Sequence, residues 1–205
     1  MKRFTMGVGA AGILAAGITG VMVLGGAGKA APAAVASPAS AQADAYTIDS
    51  VHSFITFKIK HLNASYAYGR INSPSGTFAL EEGGAIEVSA KTEDIDTGNG
   101  KRDQHLKGPD FFSAKEFPTL SFKSTSIKKA GDGFAVTGDL TAKGVTKPIT
   151  VTLQKVGEGQ GRGGVKLMGI EGTFTIKRSD FGISYMPEGL GDEVTLMIAL
   201  EGGRK

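Results

Sequence analysis

Residues 101–112 hold the densest group of side chains that could do chemistry in this sequence. Arg102, Asp103 and His105 precede a Gly-Pro turn and two phenylalanines. An arginine fork can grip phosphate or carboxylate with two hydrogen bonds, and a histidine beside a carboxylate can transfer protons near neutral pH. The run therefore allows an anion-binding cap or the acid–base site of a hydrolase or isomerase. It equally allows a structural role, in which Arg102 or Asp103 pairs across a loop and pins it.

The other two histidines, His52 and His61, do not predict a metal centre. They flank a run of alternating polarity, and nine residues of extended chain would separate them by roughly 30 Å. A catalytic triad of Asp49, His52 and Ser53 is disfavoured, because neighbouring strand residues point to opposite faces and the sequence has no G-x-S-x-G elbow. We therefore expect no metal and no catalytic residue, and interpret the histidines as hydrogen-bonding groups at a rim.

Two motifs in the sequence match well-known signatures by letter only. Residues 159–164 spell G-x-G-x-x-G, but they lie between two predicted strands, so no helix N-terminus can receive a phosphate. Asp180, Phe181 and Gly182 spell the metal-binding triplet of protein kinases without the accompanying H-R-D loop. On an extended chain Arg178 and Asp180 would share a face, Phe181 would point inward, and Gly182 would permit a bend.

The elements that must position these residues have a hydrophobic period of two. In residues 55–60, isoleucine and phenylalanine alternate with threonine and lysine, and similar alternation recurs to residue 200. This pattern predicts antiparallel sheet with one apolar and one wet face. About eight strands are expected, some of them merging, near 46–61, 66–72, 76–81, 85–92, 119–128, 133–141, 148–156, 165–177 and 192–201. The interruption at 93–118 predicts one long loop containing a short helical turn.

Such a sheet must bury its apolar face. Eight strands closed into a barrel leave an interior that is filled or that holds one small ligand. The alternation alone equally allows a filled sandwich of two sheets.

The first 43 residues differ in composition from the rest. A positively charged start is followed by residues 7–28, which carry no charge, and by an Ala/Pro/Ser stretch that ends Ala41-Gln42-Ala43. This order predicts a signal peptide and leader over 1–43, cleaved after Ala43, with one domain over 44–205 and a periplasmic location. The alternative is an uncleaved membrane anchor, since about 20 apolar residues can span a bilayer.

The positive net charge of the chain comes from this leader. Lys and Arg number 23 and Asp and Glu number 20, and residues 1–43 hold three bases and no acid. The remaining domain is neutral and has no basic stripe interleaved with aromatics, so we expect no nucleic-acid partner. Cysteine is absent, which excludes disulfides, thiolate catalysis and Cys-bound zinc.

Five spaced segments resemble the YceI-like family of bacterial polyisoprenoid- and lipid-binding proteins. They are Tyr46–Asp49 with His52-Ser53, residues 101–112, Phe117-Pro118, residues 144–147 and residues 178–182. The resemblance runs from Tyr46 to about Leu200. It implies an all-β fold, an antiparallel eight-stranded lipocalin-like barrel, and a non-catalytic exported carrier or sequestering protein. The ligand it implies is a polyisoprenoid, a quinone, or a fatty amide or acid.

On this reading, inward-facing apolar residues bind the ligand, and polar residues at the rim contact its head group. The candidate lining residues are Ile55, Phe57, Ile59, Val88, Phe111, Phe112, Phe122, Val136, Leu153, Phe174, Leu196 and Ile198. The head-group or rim candidates are His52, His61, Arg102, Asp103, His105, Arg178 and Asp180. No cofactor is expected beyond a bound isoprenoid or fatty ligand, and no stable membrane insertion after cleavage. A homodimer through an edge strand at 192–201 is possible on this pattern, and a filled barrel that serves as an interaction module in the envelope is the remaining alternative.

Overall fold

The computed structural model describes residues 45–205, so the predicted signal peptide and its cleavage site lie outside the described residues. The strands are β1 (Tyr46–Ile48), β2 (Phe54–His61), β3 (Ser65–Ile71), β4 (Ser75–Phe78), β5 (Ile86–Lys91), β6 (Ile95–Asp96), β7 (Thr119–Ala130), β8 (Gly133–Ala142), β9 (Val145–Gln160), β10 (Lys166–Lys177) and β11 (Leu190–Arg204). Helix α1 spans Gly100–Lys107, and 3-10 turns span Thr92–Asp94, Arg162–Gly164 and Arg178–Phe181.

The strands close into an antiparallel barrel. The ring runs β1-β4-β5-β7-β8-β9-β10-β11, and β11 pairs back to β1. β11 also pairs with β2, which continues through β3 to β6. The pairs β1/β2, β3/β4 and β5/β6 are therefore successive segments of three bent strands. Counted with the five strands β7 to β11, they give a barrel of eight strands. The eight-stranded antiparallel barrel expected from the sequence is confirmed.

The two ends of the barrel differ. At the end we call the closed end, β1, β4 and β5 join the C-terminal part of β11 in the ring. At the other end β6 pairs with β3 only at Arg70 and Ile71. Residues 65–69 thus have a sheet partner on the β2 side only, within the described part of the chain. We call the region formed by residues 65–69, α1 and residues 183–190 the mouth.

The densest packing lies towards the closed end. Phe78 is fully buried, and its ring stacks on that of Tyr46 with centroids 5.7 Å apart. A Cβ at Gly202 would come within 2.7 Å of the Phe78 ring and 2.8 Å of the Tyr46 Cβ. Strand β11 can approach Tyr46 and Phe78 this closely because residue 202 has no side chain. The buried core around them consists of Tyr46, Ile48, Phe78, Leu80, Ile86, Ile127, Val136, Val151, Leu153, Ile170 and Leu200.

The long excursion at 93–118 contains a helix of two turns, as the interruption of alternation predicted. Asn99 caps α1 by accepting a hydrogen bond from the Arg102 amide at 3.1 Å, which satisfies one of the free N–H groups at the helix start. The helix ends at Lys107, and its C-cap residue Gly108 precedes Pro109. Lys143 Nζ then donates to the carbonyls of Pro109 and Gly182, both at 3.2 Å. The excursion is thereby fastened to the β8–β9 and β10–β11 connections.

The turn at Gly144 packs against the ring of Phe117, at the end of the excursion. The φ of Gly144 is +73°, and a Cβ there would come within 2.5 Å of the Phe117 ring. A side chain at this turn would therefore displace the ring that ends the excursion.

Two details of the sequence-based prediction are wrong. Arg178 and Asp180 do not share a face, because β10 ends at Lys177 and the chain enters a 3-10 turn in which Arg178 and Phe181 are buried and Asp180 is exposed. Strand 192–201 is not an edge, because β11 pairs with β10 on one side and with β2 and β1 on the other. The G-x-G-x-x-G run covers the last two residues of β9 and most of the connection to β10, so it lies between two strands as expected.

Among residues 45–205, no helix is both long and apolar enough to cross a membrane.

Candidate ligand-binding cavity

A cavity of about 610 Å³ occupies the barrel interior. Small-molecule sites in proteins commonly enclose roughly 300–1,000 Å³, so the space is adequate for a ligand of that class. Its walls come from strands on all sides of the barrel, and helix α1 contributes Arg102, His105 and Leu106.

The strand register produces an apolar inner face. Phe57 pairs with Leu196 across β2 and β11, and both line the cavity. Their neighbours Lys58 and Thr195 form the next pair and do not line it. Successive side chains along a strand point to opposite faces. Every second residue of a strand therefore faces the cavity, as the alternation in the sequence predicted.

The structure brings most of the predicted lining residues together. The ones that line the cavity are Ile55, Phe57, Ile59, Val88, Phe111, Phe112, Phe122, Leu153, Phe174, Leu196 and Ile198. Val136 lies outside it, because its side chain is fully enclosed in the core.

Several lining residues were missed by sequence reasoning. Ile149, Val151 and Val194 follow the same alternation and could have been found by extending it. Leu106 on α1 and Ile183 in the β10–β11 connection carry no period-two signal, because neither belongs to a strand.

The rim candidates divide into two groups. His61, Arg102, His105 and Arg178 line the cavity, whereas His52, Asp103 and Asp180 do not. The exposed side chains Tyr66, Tyr68, Tyr185 and Met186 also border the cavity, which places its opening at the mouth.

Arg102 is oriented by one residue, Thr97. Its Nε donates to Thr97 Oγ1 at 2.7 Å, and its Nη2 donates to the Thr97 carbonyl at 2.8 Å. Asp103 contacts the same residue, accepting hydrogen bonds from the Thr97 amide at 2.9 Å and from the Thr97 hydroxyl. Asp103 therefore fastens the start of α1 to the end of β6, while Arg102 keeps N–H groups at the cavity edge that these two bonds do not use.

His105 is held at the rim by packing and by one carboxylate. Its Nε2 lies 2.8 Å from Asp110 Oδ2. Its ring meets those of Phe111 and Tyr185 edge-on, with centroids 5.1 Å away in each case. These contacts join α1 to the β10–β11 connection beside the cavity opening.

Arg178 has a different environment from Arg102, although both line the cavity. It is 6% exposed, and its guanidinium donates four hydrogen bonds to the carbonyls of Ile183, Tyr185, Leu190 and Gly191 at 2.8–3.0 Å. Burial lowers the pKa of this guanidinium. Its hydrogen bonds hold the connection that leads into β11, so the arginine stabilises the frame of the mouth.

His52 lies at the bend between β1 and β2. Its Nδ1 lies 2.9 Å from Asp49 Oδ2, and Asp49 Oδ1 accepts the Val51 amide at 2.8 Å. The hydrogen bond between the two side chains raises the pKa of His52 and lowers that of Asp49. Ser53 is 4% exposed and exchanges hydrogen bonds with the backbone of Glu201. The segment Asp49–Ser53 thus ties the bend to β11.

Comparison with known proteins agrees with this geometry. Residues 46–202 match the family model described as a YceI-like domain. The chain belongs to the YceI-like family. A UPF0312 protein of Pseudomonas aeruginosa is 39% identical over 171 residues, covering 80% of this chain and 90% of the relative. Protein YceI of Escherichia coli O157:H7 is 39% identical over 172 residues, covering 81% and 90%.

Solved structures show the same fold. A Campylobacter jejuni YceI protein matches with a TM-score of 0.63 and 30% identity, covering 71% of this chain and 90% of that one. BcnA of Burkholderia cenocepacia matches with a TM-score of 0.69 and 24% identity, covering 76% and 99%. A polyisoprenoid binding domain from Saccharophagus degradans matches with a TM-score of 0.62 and 14% identity, covering 78% and 98%.

Proposed function

We propose that this protein is a non-catalytic carrier or sequestering protein that encloses a long apolar ligand in its barrel. The observation that carries the proposal is the cavity of about 610 Å³ with a mainly apolar lining that opens at one end of a closed barrel. Enclosing one methylene group stabilises a complex by roughly 0.8 kcal/mol before the cost of association. A chain of about ten carbons can therefore bind well without a catalytic group.

The ligand class is a polyisoprenoid, a quinone tail, or a fatty amide or acid. The lining around Phe57, Phe122 and Phe174 suits any of these tails. The polar groups near the mouth, among them Arg102 and His61, suit a head group that stays close to solvent. Arg102 favours an acidic head group, because its guanidinium accommodates a carboxylate or phosphate.

The first test is the ligand content of the purified protein. Organic extraction followed by mass spectrometry should recover about one long-chain lipid per protein. Recovery of none, together with no binding of a fluorescent fatty acid by the stripped protein, would favour the filled interaction module.

A cavity-filling substitution tests where the ligand sits. Ala67 on β3 lines the cavity and pairs with Ile59. Ala67→Trp should abolish fatty-acid binding, because the indole would fill space that the tail needs. Lys60→Trp is the matched control, since Lys60 is exposed on the neighbouring strand and does not line the cavity. Equal binding by both variants, with both folded by circular dichroism, would place the ligand elsewhere.

The enzyme alternative would use the Arg102-Asp103-His105 loop, with His105 acting beside Asp103. Asp103 is bonded to Thr97 instead, and His105 pairs with Asp110. Their hydrogen bond and the packing of His105 against two aromatic rings support a structural role at the rim. His105→Gln would revive the enzyme alternative if it abolished turnover of some substrate without affecting its binding.

The proposal includes export to the periplasm, with cleavage after Ala43. It is supported by the charged start, the uncharged stretch at 7–28 and the small-x-small ending at Ala41–Ala43. N-terminal sequencing of the protein from a periplasmic extract should find Asp44 first. Retention of Met1 in a membrane fraction would favour the anchor.

A further inference from the structure

Three side chains that could bind a metal ion converge at the bend between β1 and β2, and none of them lines the cavity. His52 Nδ1 lies 2.9 Å from Asp49 Oδ2 and 4.0 Å from Glu201 Oε1. One donor atom from each side chain lies within 4.8 Å of the other two. The side chains are 64%, 40% and 39% exposed for His52, Asp49 and Glu201 respectively, so water can reach the space between them.

The backbone holds these three residues in a fixed relation. The Asp49 amide donates to the Glu201 carbonyl at 2.8 Å, and the Glu201 amide donates to Ser53 Oγ at 3.0 Å. Asp49 Oδ1 accepts the Val51 amide, which leaves Oδ2 directed at His52. The loop that carries two of the donors is therefore fastened to the strand that carries the third, so most of the ordering cost of a site is already met in the fold.

The spacing of the donor atoms is close to that of a tetrahedral metal site. Bonds of about 2.0–2.2 Å in tetrahedral geometry put donor atoms roughly 3.4 Å apart. The contact between His52 and Asp49 is shorter than this by about half an ångström, and that between His52 and Glu201 is longer by a similar amount. Ion binding therefore needs His52 and Asp49 to separate slightly and Glu201 to move closer, from a starting arrangement in which all three donor atoms lie within 4.8 Å of one another.

The donor chemistry selects the class of ion. Imidazole suits zinc, copper and nickel, whereas calcium and magnesium favour sets made entirely of oxygen ligands. Two carboxylates with a neutral imidazole carry a formal charge of −2, which a divalent cation neutralises.

We propose that Asp49, His52 and Glu201 form a surface site for a divalent transition-metal ion, with zinc as the representative ion and water completing the coordination. The site is independent of the lipid cavity. Ion binding would join the β1–β2 bend to β11 more firmly, since a ligand that binds only the folded state stabilises it.

The test uses the untagged full-length protein after EDTA treatment, titrated with zinc chloride in a calorimeter. One equivalent should bind with a dissociation constant of about 10 µM or tighter, and the melting temperature should rise with zinc. Calcium chloride should give neither effect. Absence of zinc binding up to about 1 mM, or equal binding of calcium, would overturn the proposal.

The chain offers a matched control for the ligands. His105 forms the same kind of pair with Asp110, at 2.8 Å between Nε2 and Oδ2, and does not belong to the cluster. His52→Ala should weaken zinc binding at least tenfold, and His105→Ala should leave it unchanged. If His105→Ala is as defective as His52→Ala, or if neither variant is defective, the site is not where we place it.

Glu201→Gln separates a three-ligand site from a simple histidine–aspartate pair. The backbone hydrogen bonds of residue 201 to Asp49 and Ser53 survive this change, so the protein should fold even if His52→Ala does not. We expect at least a tenfold loss of zinc affinity with an unchanged melting temperature in EDTA. Zinc affinity equal to that of the wild type would exclude Glu201 as a ligand and with it the proposed site.

Discussion

The two ends of the barrel are built from the same alternating strands and differ in what closes them. At the closed end the rings of Tyr46 and Phe78 stack on each other, the Phe78 ring packs against Gly202, and the sheet is continuous around the barrel. At the mouth residues 65–69 have a sheet partner on one side only in the described part of the chain. There a short helix and a connection held by Arg178 replace the sheet. We therefore expect the closed end to contribute most of the stability of the fold and the mouth to admit the ligand.

The largest loss of stability is expected from a substitution at the closed end. Phe78→Ala should lower the free energy of unfolding by about 3–5 kcal/mol, because the site cannot collapse around the missing ring. The fully buried position of Phe78 makes the upper part of that range reasonable. Equilibrium unfolding in urea measures the change.

Phe174→Ala is the companion variant, since Phe174 is partly buried and borders the cavity. Its ring already faces empty space, so we expect a loss of about 2 kcal/mol or less, from fewer packing contacts. Equal losses in the two variants would mean that the cavity wall is as tightly packed as the closed end.

Arg178→Met should be the next most damaging change. The substitution keeps an unbranched side chain and leaves four carbonyls without their donor, two in the β10–β11 connection and two at the start of β11. We expect a loss of about 2–3 kcal/mol, since a buried acceptor without a partner keeps its desolvation cost. The unfolding midpoint in the absence of ligand gives the measurement.

Arg162→Met is the control for Arg178, because Arg162 is an exposed arginine in the β9–β10 connection. It should change stability by less than about 0.5 kcal/mol. Similar midpoints for the two variants would show that the hydrogen bonds of Arg178 do not hold the mouth together.

The walls of the barrel could be predicted from the sequence, and the mouth could not. Alternation identified Phe57, Leu196 and Ile198 as inward-facing because strand geometry fixes the facing of each side chain. It failed at Arg178, where the chain leaves the extended conformation and the parity argument no longer applies. It also placed Val136 in the lining, because a period of two separates inside from outside but does not separate filled space from empty space.

Periodicity also could not distinguish the roles of the two arginines at the mouth, Arg102 and Arg178. Both were head-group or rim candidates, with a structural role left open for Arg102, and both line the cavity. Their roles are set by tertiary partners, which are four backbone carbonyls for Arg178 and one threonine for Arg102. Thr97 carries no signal in the sequence that would connect it with Arg102.

The smallest effect on stability is expected from Arg102→Ala. This variant tests whether Arg102 binds a head group or, like Arg178, holds the frame of the mouth. Arg102 is exposed, and its two bonds to Thr97 duplicate the attachment that Asp103 gives the same residue. The melting temperature of the ligand-free protein should therefore change little. The affinity for a long-chain fatty acid should fall roughly tenfold or more, since a hydrogen bond to a charged group contributes about 1.5–3 kcal/mol. A long-chain alcohol of the same length, which has no carboxylate, should bind wild type and variant equally. If the variant melts early without ligand, or if acid and alcohol lose affinity alike, Arg102 belongs with Arg178 to the frame of the mouth and does not bind the head group.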